Sequence, residues 1–318
     1  MIAKKFLLIS VILGGLFFTQ TTLAEGMALG ISPAIFEITA NSGEVIENII
    51  KVSNPTDNVV NVKMTVEDIE PSGEDGSVTV KNPGTEIYSI ANWVKCDPEN
   101  FQLNPREEKQ VKFTITVPQG GEPGGHYGTV VAGPNVVAST NGTGAFIVPR
   151  VGTVILISLP GERKEQITVK DFYSQTKDSK SQTDAFIKTN FFQYFPIGFA
   201  AKFENSGTVH IKPGASITIT DWFGQKVHQF DFPLQNVLPG ATRIINTEWK
   251  GSGLAIGRYT ATLTGSFGTY NTPLTSSNIT FWVFPIKEVL IVLAVIIFFI
   301  LTRKRWLTTL KIIITGKR

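Results

Sequence analysis

Between Glu25 and Phe281 the chain alternates apolar and polar residues in short runs rich in Val, Ile, Thr and Phe, separated by Gly, Pro and Asn clusters. No sustained pattern of helical period interrupts them, so the pattern predicts an all-β protein of sandwich or barrel type. ISPAIFEI, EVIENIIKVSN and NVVNVKMTVEDI read as strands. The last is followed by PSGEDG, whose Asp75-Gly76 suits a hairpin turn into SVTV. EEKQVKFTITVP alternates cleanly from Val111 to Val117, and GHYGTVVAGPNVV and AFIVPRVGTVILISLP form a pair around Thr140-Asn141-Gly142-Thr143. YSIANWVKCDPENF is irregular and fits a short helical turn. After the polar GERKEQ come ITVKDFYSQT, the spacer KDSKSQ, AFIKTNFFQYFPIGFAAKFENSG, ASITITDW, KVHQFDFP, ATRIINTEW, GRYTATLTG and NITFWVF.

The two halves share an order. One strand ends in Lys51-Val52-Ser53-Asn54 and its counterpart in Lys202-Phe203-Glu204-Asn205; LNPREEKQVKFTI matches VLPGATRIINTEW. Each half closes with Gly-x-Tyr and an alternating strand, at Gly125-His126-Tyr127 and Gly257-Arg258-Tyr259. In immunoglobulin-type sandwiches a tyrosine near the start of the penultimate strand bonds its hydroxyl to nearby backbone. Tyr127 and Tyr259 fit that corner, and Gly125 and Gly257 allow the tight turn before it. The expected fold is two tandem Ig-like β-sandwiches, residues 25–161 and 162–283.

The ends carry a different pattern. Lys4 and Lys5, the apolar Phe6 to Phe18 and Thr22-Leu23-Ala24 have the layout of a secretory signal peptide over residues 1–24. Near the C-terminus, Pro285 to Leu301 is 17 residues, about 25 Å of helix, at the low end of what spans a bilayer. Arg303-Lys304-Arg305 follows. The pattern predicts a transmembrane helix over 284–302 and a basic cytoplasmic tail over 303–318. The expected location is therefore the cell membrane, with a single pass and both sandwiches outside.

This assignment changes the meaning of the charge. The whole chain is +3, from 29 basic and 26 acidic residues. Setting aside the nine basic residues of the two end segments and Glu288 leaves 20 against 25, or −5 for the exported part. Nothing in that balance points to nucleic acid. Cys96 is the single cysteine, so no internal disulfide braces the exported part, and its stability must come from burial.

Candidate chemistry is sparse. His126, His210 and His228 have no His or Cys neighbour at metal spacing and read as surface or turn residues. No nucleophile elbow is present, and Cys96 reads as a half-buried structural thiol. Glu67, Asp68, Glu70, Glu74 and Asp75 cluster, but alternating strand faces separate neighbours, so a solvated hairpin is favoured over a calcium site. Gln119 to Gly125 is glycine-rich without the Lys-Ser/Thr of a phosphate loop and reads as a mobile loop. FFQYFP places Phe191, Phe192, Tyr194 and Phe195 where they cannot all face one core. They read as covered on both faces, or else as a surface for a protein or glycan partner. No cofactor, metal or catalytic residue is expected.

With SNPTDNVVNVKM in the first half, a late VPQGGEPGGHYG, a second sandwich and a basic-flanked C-terminal segment, the chain resembles the WxL-interacting-protein group of bacterial surface proteins. The resemblance implies a peptidoglycan-associated Ig-like domain, a second Ig-like domain that meets a partner surface protein, and a membrane anchor. The expected function is a non-catalytic, membrane-anchored scaffold whose partner is cell-wall glycan or another surface protein. The alternative is a chaperone-like Ig module that pairs edge strands with exported subunits.

Overall fold

The structure, a computed structural model, describes residues 29–135, 149–178, 185–251 and 255–315, with side chains of the terminal helix described as far as Arg303. The expected signal peptide, the Thr140-Asn141-Gly142-Thr143 turn and residues 179–182 of the KDSKSQ spacer lie outside these residues.

Before Pro160 the strands are β1 (Gly30–Ser32), β2 (Ile35–Thr39), β3 (Val45–Ser53), β4 (Val60–Ser72), β5 (Ser77–Lys81), β6 (Val94–Asp97), β7 (Asn100–Leu103), β8 (Glu108–Thr116), β9 (Gly124–Pro134) and β10 (Val151–Leu159). They build two sheets, β1-β3-β8-β6 and β2-β10-β9-β4-β5, with β7 beside β4. After it come β11 (Ile167–Lys177), β12 (Phe186–Lys188), β13 (Phe191–Phe192), β14 (Ile197–Asn205), β15 (Gly214–Thr220), β16 (Lys226–Asp231), β17 (Thr242–Trp249), β18 (Gly257–Phe267), β19 (Thr272–Pro273) and β20 (Ser277–Val283). These give β12-β11-β14-β17 and β13-β20-β18-β15-β16, with β19 beside β18.

Each pair of sheets encloses its own core. Ile50, Val52, Phe113, Ile115, Ile155 and Ile157 belong to the first, and Phe199, Phe203, Ile217, Leu263 and Phe281 to the second. Alternation explains the inward faces: along β8, Val111, Phe113 and Ile115 are buried while Gln110, Lys112 and Thr116 are exposed. β9 is buried from Gly124 to Ala132 on both faces, and the loop through Tyr88 and Ile90 bonds to its edge at Tyr127. The YSIANWVKCDPENF region holds β6 and the start of β7 after turns, with no helix.

Two details set the edges of these sheets. ISPAIFEI is two strands instead of one. Gly30–Ser32 lies antiparallel to β3, and beyond Pro33 the chain crosses to the other sheet, where Ile35–Thr39 runs parallel to β10. The crossing begins at Pro33, whose ring fixes φ and redirects the chain. The paired asparagines, in turn, end equivalent strands. Asn54 donates to Asn58 O at 2.7 Å and Asn104 O at 2.9 Å and accepts from Thr56 N at 3.1 Å. Asn205 donates to Val209 O and Val237 O, each at 2.8 Å, and accepts from Gly207 N at 2.9 Å.

The helix α1, Ile286–Thr315, follows β20. Its uninterrupted apolar run, Val289 to Leu301, is 13 residues between Lys287-Glu288 and Arg303, or about 20 Å of helix against the roughly 30 Å of a hydrocarbon core. Among the described residues no helix is long and apolar enough to cross a membrane. The expected span over 284–302, with its single-pass placement and separate cytoplasmic tail, therefore does not hold; one helix runs from Ile286 through Thr315.

Candidate functional site

β3 pairs with β8 along its whole length, from Val45 opposite Thr116 to Ser53 opposite Glu108. Glu44 O accepts from Val117 N, and Asn54 N donates to Glu107 O, both at 2.9 Å. Backbone groups alternate sides along an antiparallel strand, so the even-numbered residues of β3 bond to β8 and the odd-numbered ones turn the other way. On that other side β1 takes Ser53 and Lys51, its last residue, Ser32, lying opposite Lys51. Among the described residues no strand pairs there with Val45, Glu47 or Ile49. Their N–H and C=O groups form an open edge, and the Val45 and Ile49 side chains are 58% and 53% exposed. Such a row is a template for an added strand.

The matching strand of the second sandwich is closed. Asn205 N donates to Ala241 O as Asn54 N does to Glu107 O, so aligning the two asparagines places Glu47 at Gly198 and Ile49 at Ala200. Gly198 lies opposite Gln175 and Ala200 opposite Tyr173, because β11 accompanies β14 from Asn205 back to Gly198. The approach is close: a Cβ on Gly198 would strike the Gln175 carbonyl.

A polar seam joins the sandwiches. The Tyr127 hydroxyl accepts from His210 N at 2.8 Å and lies 3.3 Å from His210 Nδ1, while Gly125 N donates to Thr208 O at 3.0 Å. A side chain on Gly125 would collide with the Tyr127 hydroxyl folded over it. Burial pushes the Tyr127 phenol up and the His210 imidazole down to about 4. Glu37 of β2 receives Lys212 Nζ at 2.6 Å and Asn236 Nδ2 at 2.8 Å. Burial acts to raise its carboxyl, but these hydrogen bonds outweigh it and hold the group below its ordinary value. At the other end of the seam, Glu165 accepts from Thr269 N at 2.7 Å and pairs with Arg163 at 2.9 Å.

The acidic hairpin reaches this seam while Glu70, Glu74 and Asp75 stay exposed to solvent. Glu74 O accepts from Ile244 N at 2.6 Å, the Glu74 carboxylate pairs with Lys202, and Arg243 lies over Gly76, whose φ of 85° suits the turn. The other carboxylates take separate partners. Asp68 is buried and accepts from Thr85 N at 2.7 Å and Glu86 N at 3.0 Å, Glu67 meets Arg150, Glu70 meets Lys81, and Asp75 accepts from Ser77. No group of His, Cys, Asp and Glu that could hold a metal occurs among the described residues.

Of the other residues singled out in the sequence, the four aromatics of FFQYFP divide. Phe192 is buried against Phe281 and Phe195 packs on Trp249, whereas Phe191 and Tyr194 are each 44% exposed at the rim of a groove of about 380 Å³. The Tyr194 hydroxyl donates to Glu288 at 3.0 Å, joining this rim to α1. Tyr127 bonds across the seam, not within its own sandwich. Tyr259 is half-buried between Trp249 and Phe281, and its hydroxyl has no hydrogen-bond partner among the described residues. His126 is buried, with Nε2 at 2.9 Å from Glu122 O and its ring on Trp93, and His228 is exposed on β16. Cys96 is half-buried, and burial pushes its thiol up to about 11. The glycine-rich stretch ends inside β9, which begins at Gly124. The open edge itself was missed in the sequence. Its one local signal is Pro33, two residues before a second alternating run.

No protein-family model matches the chain, and no curated protein matches it. Among solved structures it is similar to the Class 5 fimbriae chaperone CfaA, at 12% identity and a TM-score of 0.37, over 76% of this chain and 92% of that one. It is also similar to the E. coli chaperone DraB, at 10% identity and a TM-score of 0.34, over 80% and 98%. A third is the CsuC–CsuE chaperone–tip adhesion subunit complex of Acinetobacter baumannii, at 10% identity and a TM-score of 0.32, over 68% and 89%. TM-scores this low assign no role to the present chain. The resemblance to WxL-interacting proteins is not upheld, since no family model and no curated protein matches the chain and the similar structures named here are of other proteins, and the expected peptidoglycan role falls with it. The physical reason lies in the motifs: Asn54 of SNPTDN braces a strand end, and Gly125 and Tyr127 of GGHYG form the seam. Both are joints of the fold.

Proposed function

We propose that this chain is a non-catalytic binding protein of two sandwiches, residues 25–161 and 162–283, that receives an extended segment of another protein as an added strand on β3. This is the chaperone-like reading by edge-strand pairing, and the partner is a protein. The observation that carries it is the unpaired row at Val45, Glu47 and Ile49, beside a second sandwich whose own strand β11 fills the equivalent place. Main-chain hydrogen bonds supply affinity in such pairing, and alternate side chains supply selectivity. The seam holds the second sandwich beside β2 through Glu37, Lys212 and Asn236.

The test uses proline at a position whose N–H faces outward. Ile49→Pro removes a donor from the open row without removing a bond to β8. Amide hydrogen exchange at Val45, Glu47 and Ile49 slows when capped peptides of strand-forming sequence are added to the full chain, and Ile49→Pro abolishes binding while the fold persists. Exchange at these three amides unaffected by any strand-forming peptide overturns the proposal.

A further inference from the structure

We infer that the segment received on β3 carries a basic residue at the centre of its outward face, flanked two positions away on each side by apolar residues. The inference rests on the strand-addition reading and deepens it by naming the class of segment. The juxtaposition that carries it is Glu47 standing midway along the open row between Val45 and Ile49, where its one ion pair among the described residues is with Lys112 on the β8 side.

On the solvent-facing side of β3 the side chains run Val45, Glu47, Ile49, Lys51. Toward β8 the charges are matched, with Glu47 to Lys112 at 2.7 Å and Lys51 to Glu108 at 3.3 Å. Toward the open side, Lys51 is covered by Ser32 of β1, and Glu47 is the charge that remains on the row. A strand laid there places its own side chains about 4.5–5.5 Å from those of β3, close enough for opposite charges to stabilise the pair and like charges to destabilise it. Apolar residues two positions either side meet Val45 and Ile49. The intervening residues point inward, on the same side as the half-buried Ile46 of β3.

The same carboxylate disfavours a second copy of this chain. In the two-fold antiparallel register that sets Val45 against Ile49, Glu47 meets Glu47. A charge on an exposed edge is a recognised guard against self-pairing. Glu47 thus excludes one occupant and selects another.

The experiment measures binding to the full chain of three capped nine-residue peptides of Val and Thr that differ in the central residue, which is Lys, Glu or Gln. The central position meets Glu47 whichever way the peptide runs. The Lys peptide binds roughly three- to tenfold more tightly than the Glu peptide, with Gln between them. The advantage shrinks at high salt. Glu47→Lys reverses the order, and Glu47→Gln, a smaller change to the fold, erases it. Equal binding of all three peptides, lost in Ile49→Pro, overturns the charge inference and leaves strand addition standing. Binding of none, with Val45, Glu47 and Ile49 amides exchanging as before, overturns both. Sedimentation that shows a dimer abolished by Ile49→Pro also overturns the inference, by placing a second copy on the edge.

Discussion

In the first sandwich the chain stays beside β3 from Gly30 to Ser32 and then leaves at Pro33 for the opposite sheet. In the second it stays beside β14 from Ile167 to Gln175, adds β12 to the outside of β11, and crosses to β20 only at Phe191. The two strands are otherwise alike: each pairs with a long antiparallel neighbour on one side and ends in a buried asparagine with the same bonding. An edge is therefore not a property of the strand that carries it. It is decided by how far a neighbour from elsewhere in the chain keeps it company.

The largest expected effect tests that statement directly. Ala200 and Ile49 occupy the same place, but the Ala200 N–H faces β11 and its side chain is fully buried. Ala200→Pro removes a ladder bond and overfills the core, and should destabilise the protein by about 3 kcal/mol or more. Ile49→Pro should cost under about 1 kcal/mol, as an outward-facing edge position does. Urea denaturation of the two variants measures both. Similar losses would mean that β3 has a partner on its outer side.

The seam gives an effect of similar order at low pH. His210 titrates near 6.5 in an unfolded chain and about 4 in the fold, because burial disfavours its charged form. Above the unfolded value both states are neutral and the group contributes no pH dependence. As pH falls from about 6.5 toward 4 the unfolded state takes up the proton first, so stability declines by up to roughly 3 kcal/mol and then levels off. His210→Asn should flatten that part of the curve. A slope unchanged in this variant would place the titration elsewhere, with Glu37 the nearest alternative carboxylate in the seam.

The smallest effect separates the two Gly-x-Tyr phrases. Tyr127→Phe strands the buried His210 N–H and should cost about 1–2 kcal/mol. Tyr259→Phe removes a hydroxyl with no partner among the described residues and should stay within about 0.5 kcal/mol. Thermal melting of the two variants measures the difference. Equal shifts would show that the phrases do the same work in both sandwiches, contrary to their placement.

The alternation of Val111, Phe113 and Ile115, the Asp75-Gly76 turn and the matching Asn54 and Asn205 were all legible as sequence, because each is a local consequence of the two-residue period or of turn chemistry. The acidic hairpin shows where local reading stops. Glu74 and Asp75 form the turn that the sequence predicts, yet Glu74 meets Ile244 and Lys202, some 170 and 128 residues away in the chain. The aromatic run behaves likewise, since Phe191 and Phe192 are neighbours that alternate faces, and only β20 beside them decides which one is covered.

From its own residues the sequence determined that the region before α1 is built of strands, where most of them lie, that they come in two related sets, and which side of each strand is apolar. Tertiary structure decided which strands keep a free edge, that Tyr127 bonds outside its own sandwich, and that the hairpin clasps its neighbour. Side-chain period and turn preference act over a few residues and are written locally. Strand pairing is a choice among distant partners of nearly equal propensity, settled by register and by where the chain leaves a neighbour, as it leaves β3 after Ser32.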